Sequence, residues 1–455
     1  MVSGSRETSF VNNLSERAAP SRPGDPAGES SSGRITDEDV ARARAQIGIR
    51  TPERVPKWNV IPDASSISHF AFGYGDDNPL WHDPEYGKRT RWRGQIAPPL
   101  YLHSTGINET PPFQSQKMKD LFRGLFRGVG KYFSSTTWEW FRPVYPGDLV
   151  FEDGRTTIDV AERPSSFSGG RVVVETYRTT YVERTGEIFG VNHESYVNAE
   201  RTGSQQTGRH SGIERQHYNS EDIEKIDHDY ATELRQGAEE RWWENVLIGD
   251  TLQPVVKGPL TVFDVISHHM ASGWGAYGIG PLRYNWRKRQ SMPGFFTPDN
   301  FGVPDVVQRM HWDSDWAEAV GLPAPYDVGQ MRVQWLSHLI TNWMGDDAWL
   351  WKLTLDLRNF NFVGDTQWCT GEVTEKYAIG DHRVVELGVR ATSQRGSVTT
   401  SGRAVVILPS KESGPVLLPM PDANLRRHGA ELISERTRLR HEQLAHDHGG
   451  LCEGR

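Results

Sequence analysis

Three observations predict a duplicated α+β fold. Apolar residues at helical spacing lead twice into a loop rich in Gly, Asp and Pro, first across Phe72–Pro99 and again between Thr261 and Gly329. Each loop is followed by four segments rich in β-branched and aromatic residues, separated by turn signals, which is the pattern of antiparallel strands. A Trp-His-Asp or His-Trp-Asp element, a Pro-rich turn and a Gly-Asp turn (Gly147-Asp148, Gly364-Asp365) recur in the same order a little over 200 residues apart, as in an internal duplication. At 455 residues the chain is long enough to bury two cores.

Taken in order, residues 1–34 are rich in Ser, Gly, Pro and Asn without apolar periodicity, so a disordered tail is expected. Thr36 followed by Asp37, Glu38 and Asp39 marks a helix start, and Val40, Ala43 and Ile47 give it an apolar stripe that ends at Gly48. A second helix, Ser65–Phe72, delivers the chain into the loop. Leu100–Leu102, behind Pro98-Pro99, suits the start of a central helix. Lys117–Tyr132 reads as a solvated basic face, with a thioester carrier's phosphates as the alternative use of its charges. Strands are expected at Thr136–Val144, Leu149–Val160, Arg171–Val182 and Gly190–Tyr196. These elements give a first half at 35–200, joined by a linker at 201–241 whose stretch Ser220–Glu240 is a charged helix. The second half, 242–410, repeats the order, with a helix from Met331 to Trp343 and strands at Trp349–Phe362, Thr366–Tyr377, Arg383–Gln394 and Val398–Leu408. An insertion at 275–305, rich in Gly and aromatic residues, suits a mobile lid or a disordered surface loop, and 411–455 suits a mobile tail with a helix between Glu431 and Ala445 as its one candidate element.

Composition narrows the function. The net charge of -8 is spread along the chain rather than set against a basic stripe, which argues against nucleic acid. No apolar run approaches the roughly 20 residues that cross a bilayer, so no membrane partner is expected. Cys369 and Cys452 are the only cysteines, which excludes a disulfide framework and a cysteine metal site and fits the cytoplasm. His268 and His269 are adjacent and point to different helix faces, so a zinc pair is not expected. The 16 Trp, most of them after residue 240, call for a large aromatic core or a roomy aromatic pocket.

The loop itself reads Gly75-Asp76-Asp77-Asn78-Pro79-Leu80, then Asp83-Pro84-Glu85-Tyr86, with Ile96-Ala97-Pro98-Pro99 and Arg142-Pro143-Val144-Tyr145-Pro146-Gly147-Asp148 further on. In these motifs the chain resembles the two-domain MaoC-like dehydratases, the (R)-specific enoyl-thioester hydratases that include the dehydratase region of fungal-type fatty acid synthase. The resemblance, over roughly residues 36–410, implies a double hotdog: two curved antiparallel sheets, each wrapped around a central helix. It also implies reversible hydration of 2-enoyl thioesters, with an acyl-CoA or acyl-carrier thioester as substrate, no cofactor, and association into a homodimer or higher oligomer. A bulky acyl group fits the Trp content.

Carried over residue by residue, the pattern divides between the halves. Asp76 and Asn78 match the family's Asp and Asn, but Trp81 stands where the family has its His, with His82 one place later. Pro99 stands where an active member has a Gly whose N–H faces the thioester oxygen. In the second half His311 matches the family His and Gly329 the Gly, whereas Trp274 holds the Asp position and Gln308 that of the Asn; Asp305 is close enough in sequence to compensate. The residues expected to be catalytic are therefore Asp76, His82 and His311, with Asn78, Trp81, Asp305 and Gly329 contacting substrate. The alternative to a hydro-lyase is a degenerate hotdog that binds acyl thioesters, scaffolds a partner, or runs another reaction in the same cleft. His338, inside a helical run, reads as a core histidine.

Overall fold

The protein was analysed as a computed structural model, which describes residues 33–52, 57–108, 110, 115–164, 170–200, 213–273 and 280–450, with side chains described as far as 441. The expected tail at 1–34 falls almost wholly outside these residues, as do Trp274 and the first part of the insertion. Two compact units divide the chain, a large one and a small one spanning Ile279–Val307.

In the large unit, Thr36 caps the helix Asp37–Arg44 through a reciprocal pair with Asp39, and Asp63 caps Ala64–Phe72 in the same way with Ser66. The strands follow as β1 (Arg50–Thr51), β2 (Ile107–Asn108), β3 (Gly130–Trp140), β4 (Val150–Glu152), β5 (Arg155–Arg163), β6 (Val172–Glu183), β7 (Ile188–Ala199) and β8 (Val255–Lys257). In the small unit, β9 (Phe296–Pro298) pairs antiparallel with β10 (Pro304–Val306) beside a helix, Arg283–Ser291. The second-half strands are β11 (Trp349–Leu357), β12 (Gln367–Ile379), β13 (His382–Ser393) and β14 (Val398–Ile407).

The twelve strands of the large unit form one sheet in the order β1-β5-β6-β7-β3-β11-β14-β13-β12-β8, with β2 and β4 beside β6. The two meanders meet at β3 and β11, which run antiparallel with Trp138 opposite Leu353 and Glu139 opposite Lys352. This is the expected double hotdog, its two sheets joined edge to edge into a continuous surface.

The halves differ in what the sheet encloses. In the second half the 16-residue helix Gly329–Met344 is buried at every position from Met331 onward, as suits a helix packed on all sides. Gly345, at φ 80, ends it in a conformation that disfavours a Cβ. In the first half the corresponding element is a six-residue 3-10 helix, Pro99–Ser104, and no long helix follows it among the described residues of this half. Thr105 bonds back to the Asn59 carbonyl and Ile107 pairs with Phe151, which draws the chain into extended structure. Trp138, Trp140, Tyr181 and Phe189 fill the interior instead, with Trp138 and Trp140 stacked at 5.5 Å.

Two further expectations are corrected by packing. The linker residues 213–241 are docked on the second half: Tyr218 donates to the Gly364 carbonyl, and Trp368 donates to Asp229 of the helix Ser220–Ala231. The supposed mobile tail contains the helix Ala423–Gly450. Leu425, Leu432 and Ile433 pack with Phe141, Phe151 and Val182, while Arg50 forms an ion pair with Glu435. Three apolar residues on one helix face, covering the end of a sheet, were hidden in a stretch whose charge density suggested solvent.

Candidate functional site

The family loop folds around its aspartate. Asp76 Oδ1 accepts the Asn78 N–H at 3.1 Å, and Oδ2 accepts both the Tyr74 hydroxyl and the Trp81 indole N–H, each at 3.1 Å. His338 Nε2, from the central helix of the other half, lies 3.7 Å from Oδ1. The carboxylate is thus surrounded by donors that belong to the fold. Trp81, which holds the place of the family His, uses its N–H on the same carboxylate and turns its ring toward a cavity.

His82 does not reach that carboxylate. Its Nε2–H donates to the Asp76 backbone carbonyl at 2.7 Å, and Ser68 Oγ donates to Nδ1 at 2.7 Å, so both ring nitrogens tie the loop to the preceding helix. Asn78 Oδ1 accepts the Leu80 N–H and caps the short helix Pro79–His82.

Behind the loop sits a buried polar cluster. Lys257 on β8 donates to the Gly75 carbonyl at 2.9 Å and to His338 Nδ1 at 2.8 Å, leaving the His338 Nε2–H facing Glu233 at 3.1 Å. Burial lowers the Lys257 pKa, although Glu233 and Asp76 oppose the shift. For Glu233 burial acts upward, and His338 and Lys257 outweigh it, holding the carboxyl below its usual range. In front of the loop lies a small cavity walled by Trp81, Trp92, Trp140 and Trp349, with Asn78 among its few polar groups. Pro98 and Pro99 also line it, and neither has an N–H to offer an oxygen.

The second concentration of chemistry surrounds the start of the central helix. No side chain caps the helix at Gly329, so its first N–H groups carry the positive end of the dipole. A Cβ at Gly329 would stand 2.8 Å from Leu357 Cδ2 and 2.9 Å from Phe133 Cδ1, which is why this position is a glycine. Gln330 donates to Glu194 Oε1 at 3.0 Å. His103 Nε2 lies 3.6 Å from the same oxygen, and Arg155 lies 3.5 Å from Oε2. Burial pushes Glu194 upward, but His103 and Arg155 prevail and keep it below the ordinary carboxyl value.

His311 meets the segment leading into this helix: its Nδ1 is 2.9 Å from the Tyr326 carbonyl, and its ring lies 4.3 Å from that of Tyr326. His269 lies 6.5 Å from it and 5.8 Å from His268, measured between ring centres. Burial lowers His268 and His311 to about 4 and His269 to about 2, and it lowers His103 as well. His268, His269 and His311 are neutral near pH 7. Asp305 lies in the small unit, where its carboxylate accepts the Val306 N–H at 2.7 Å.

The structure therefore brings His311 and Gly329 to one end of the central helix, and Asn78 and Trp81 to one cavity wall, while Asp76 and His82 share a loop but not a dyad. Sequence reasoning missed His103, Glu194, Gln330, Lys257 and Glu233. Only two left a trace: Lys257 ends the apolar run Val255-Val256, and Glu194 falls on the inward-facing alternation of β7.

Residues 46–189 match the family described as FAS1-like, dehydratase domain region. A solved structure described as a MaoC-like dehydratase superposes with a TM-score of 0.52 at 15% identity, covering 81% of this chain and all of the other. A MaoC-like dehydratase from Phytophthora capsici follows at TM-score 0.42 and 12% identity, with 81% and 99% covered. A Mycobacterium tuberculosis protein described as a double hotdog follows at 0.42 and 11%, with 79% and 96% covered. No curated protein matches in sequence. The chain thus has the MaoC-like double-hotdog fold. Its first half carries the dehydratase-region sequence.

Proposed function

We propose that the protein catalyses reversible hydration of 2-enoyl thioesters, and the reverse dehydration of 3-hydroxyacyl thioesters, at the start of the Gly329–Met344 helix. The observation that carries this reading is the uncapped N-terminus of a buried helix whose second residue, Gln330, holds an ionised, buried Glu194. Adding water beside a thioester needs charge stabilisation at the carbonyl oxygen and groups that accept and return protons. The N–H groups of the first helical turn supply the former. Glu194 takes a proton from water as the hydroxyl adds to the β-carbon and returns that proton to the α-carbon, so the site ends in its starting protonation state, with His103 and neutral His311 orienting the water and the thioester.

A bulky acyl group carried on CoA is the reading that the chain's 16 Trp favour. Asp76, with its oxygens committed to Tyr74, Asn78 and Trp81, is assigned to loop architecture, and Asn78 and Trp81 to the cavity wall. The same saturation of Asp76 also favours a second reading, a protein that binds acyl thioesters without turning them over.

A panel of enoyl-CoAs from crotonyl to ring-bearing chains, followed by loss of the conjugated double bond, tests the proposal. Turnover that falls about 100-fold or more in Glu194→Gln and His311→Ala, at unchanged thermal stability, is the expected result. Tight binding without turnover across the panel would instead establish the second reading.

A further inference from the structure

The small unit differs from the rest of the chain in what it shows to solvent. Leu282 is 88% exposed and Phe301 90%, and Tyr284, Trp286, Met292 and Val303 also stand in water. Only Phe296 and Val306 are buried in its described part. Arg283, Arg287, Lys288 and Arg289 lie among these apolar groups on and beside one nine-residue helix, and none of the four enters an ion pair among the described residues. Two acids, Asp299 and Asp305, face them within residues 280–307, so the segment is basic inside a chain of net charge -8.

The hairpin holds its apolar tip in place. Asp299 accepts the N–H groups of Phe301 and Val303 at 2.8 Å each, and the Asp299 N–H donates to the Val303 carbonyl at 2.8 Å. Phe301 is thus presented by a closed turn rather than a loose one.

From these features we propose that residues 280–307 form an attachment surface for an anionic lipid bilayer. Exposed Leu, Phe, Met, Trp and Tyr side chains lower their free energy by entering the headgroup and upper acyl region, and interleaved Arg and Lys are drawn to anionic headgroups. A protein partner fits less well. Two three-residue strands and one nine-residue helix offer few residues, whereas a stable protein interface needs about 800 Å² of complementary surface on each side. A bilayer requires no matching shape.

Co-sedimentation of the full-length protein with phosphatidylcholine vesicles, with and without phosphatidylglycerol, tests this. Binding is expected only to the anionic vesicles and should weaken as salt rises. It should fall at least tenfold in Leu282→Ser/Phe301→Ser and, separately, in Arg287→Glu/Lys288→Glu. Circular dichroism should be unchanged, because every altered position is at or near the surface. No binding to either vesicle, or binding that both variants retain, overturns the proposal. So does absence of vesicle binding with a shift in oligomeric state in the variants, which would make the segment a contact between copies. These outcomes do not depend on enoyl-thioester turnover.

Discussion

At the scale of single residues, the same aspartate that identifies the loop is bound by its own neighbours. Three donors converge on the Asp76 carboxylate, so Asp76→Asn would place an amide N–H against at least one of them. We expect about 1–3 kcal/mol of lost stability, read by urea unfolding, with enoyl turnover within about threefold of the parent. A loss of turnover without a loss of stability would return the chemistry to the first half. The residue pattern Asp-x-Asn-Pro was legible because loop motifs are local in sequence. The meeting of Glu194 with His103 and Gln330 was not, because those contacts span 91 and 136 residues and depend on how two sheets close.

Among elements, the central helix carries the carbonyl-binding site of our proposal. Gly329→Ala pushes a methyl group against Leu357 and Phe133, whose side chains have to yield by several tenths of an ångström. The expected result is about 1–2 kcal/mol of destabilisation and a fall in kcat larger than any change in KM, since the displaced N–H groups act on developing charge. The C-terminal helix makes a separate test. Leu432→Asp sets a charge against Phe151 and Val182 and should cost about 3 kcal/mol, lowering Tm, whereas the same change at exposed Glu431 should be nearly neutral. Strands were readable from alternating β-branched residues, although the one expected at Thr136–Val144 begins at Gly130 and the one expected at Leu149–Val160 is broken into Val150–Glu152 and Arg155–Arg163. The missing first-half helix was not readable: Pro98-Pro99 suits a helix start equally well, and what ended the helix was the bonding of Thr105 and Ile107 to distant partners.

For the whole molecule, buried histidines make stability depend on acid. His268 and His311 have native pKa values near 4 against an ordinary 6.5, so the unfolded chain binds more protons between those values. Stability is therefore fully present above about pH 6.5, falls as the pH drops toward 4, and loses up to about 3 kcal/mol for each group. Urea midpoints measured from pH 7.5 to 4.5 should decline on that limb, and His268→Phe should flatten it. The duplicated architecture was visible in the ordered recurrence of turns and strands. That the two halves would share one sheet was not, because an outward strand edge has no distinct mark in sequence.

The β3–β11 seam also bears on how such a chain diverges. When two identical subunits pair, every substitution appears at both symmetry-related clefts, so a change that suits one burdens the other. Covalent fusion of the halves through a shared ladder removes that constraint while keeping their alignment fixed. The two halves of this chain do differ in this way, with Trp81 and Pro99 in one and His311 and Gly329 in the other. A locked seam is what allows the two copies to specialise.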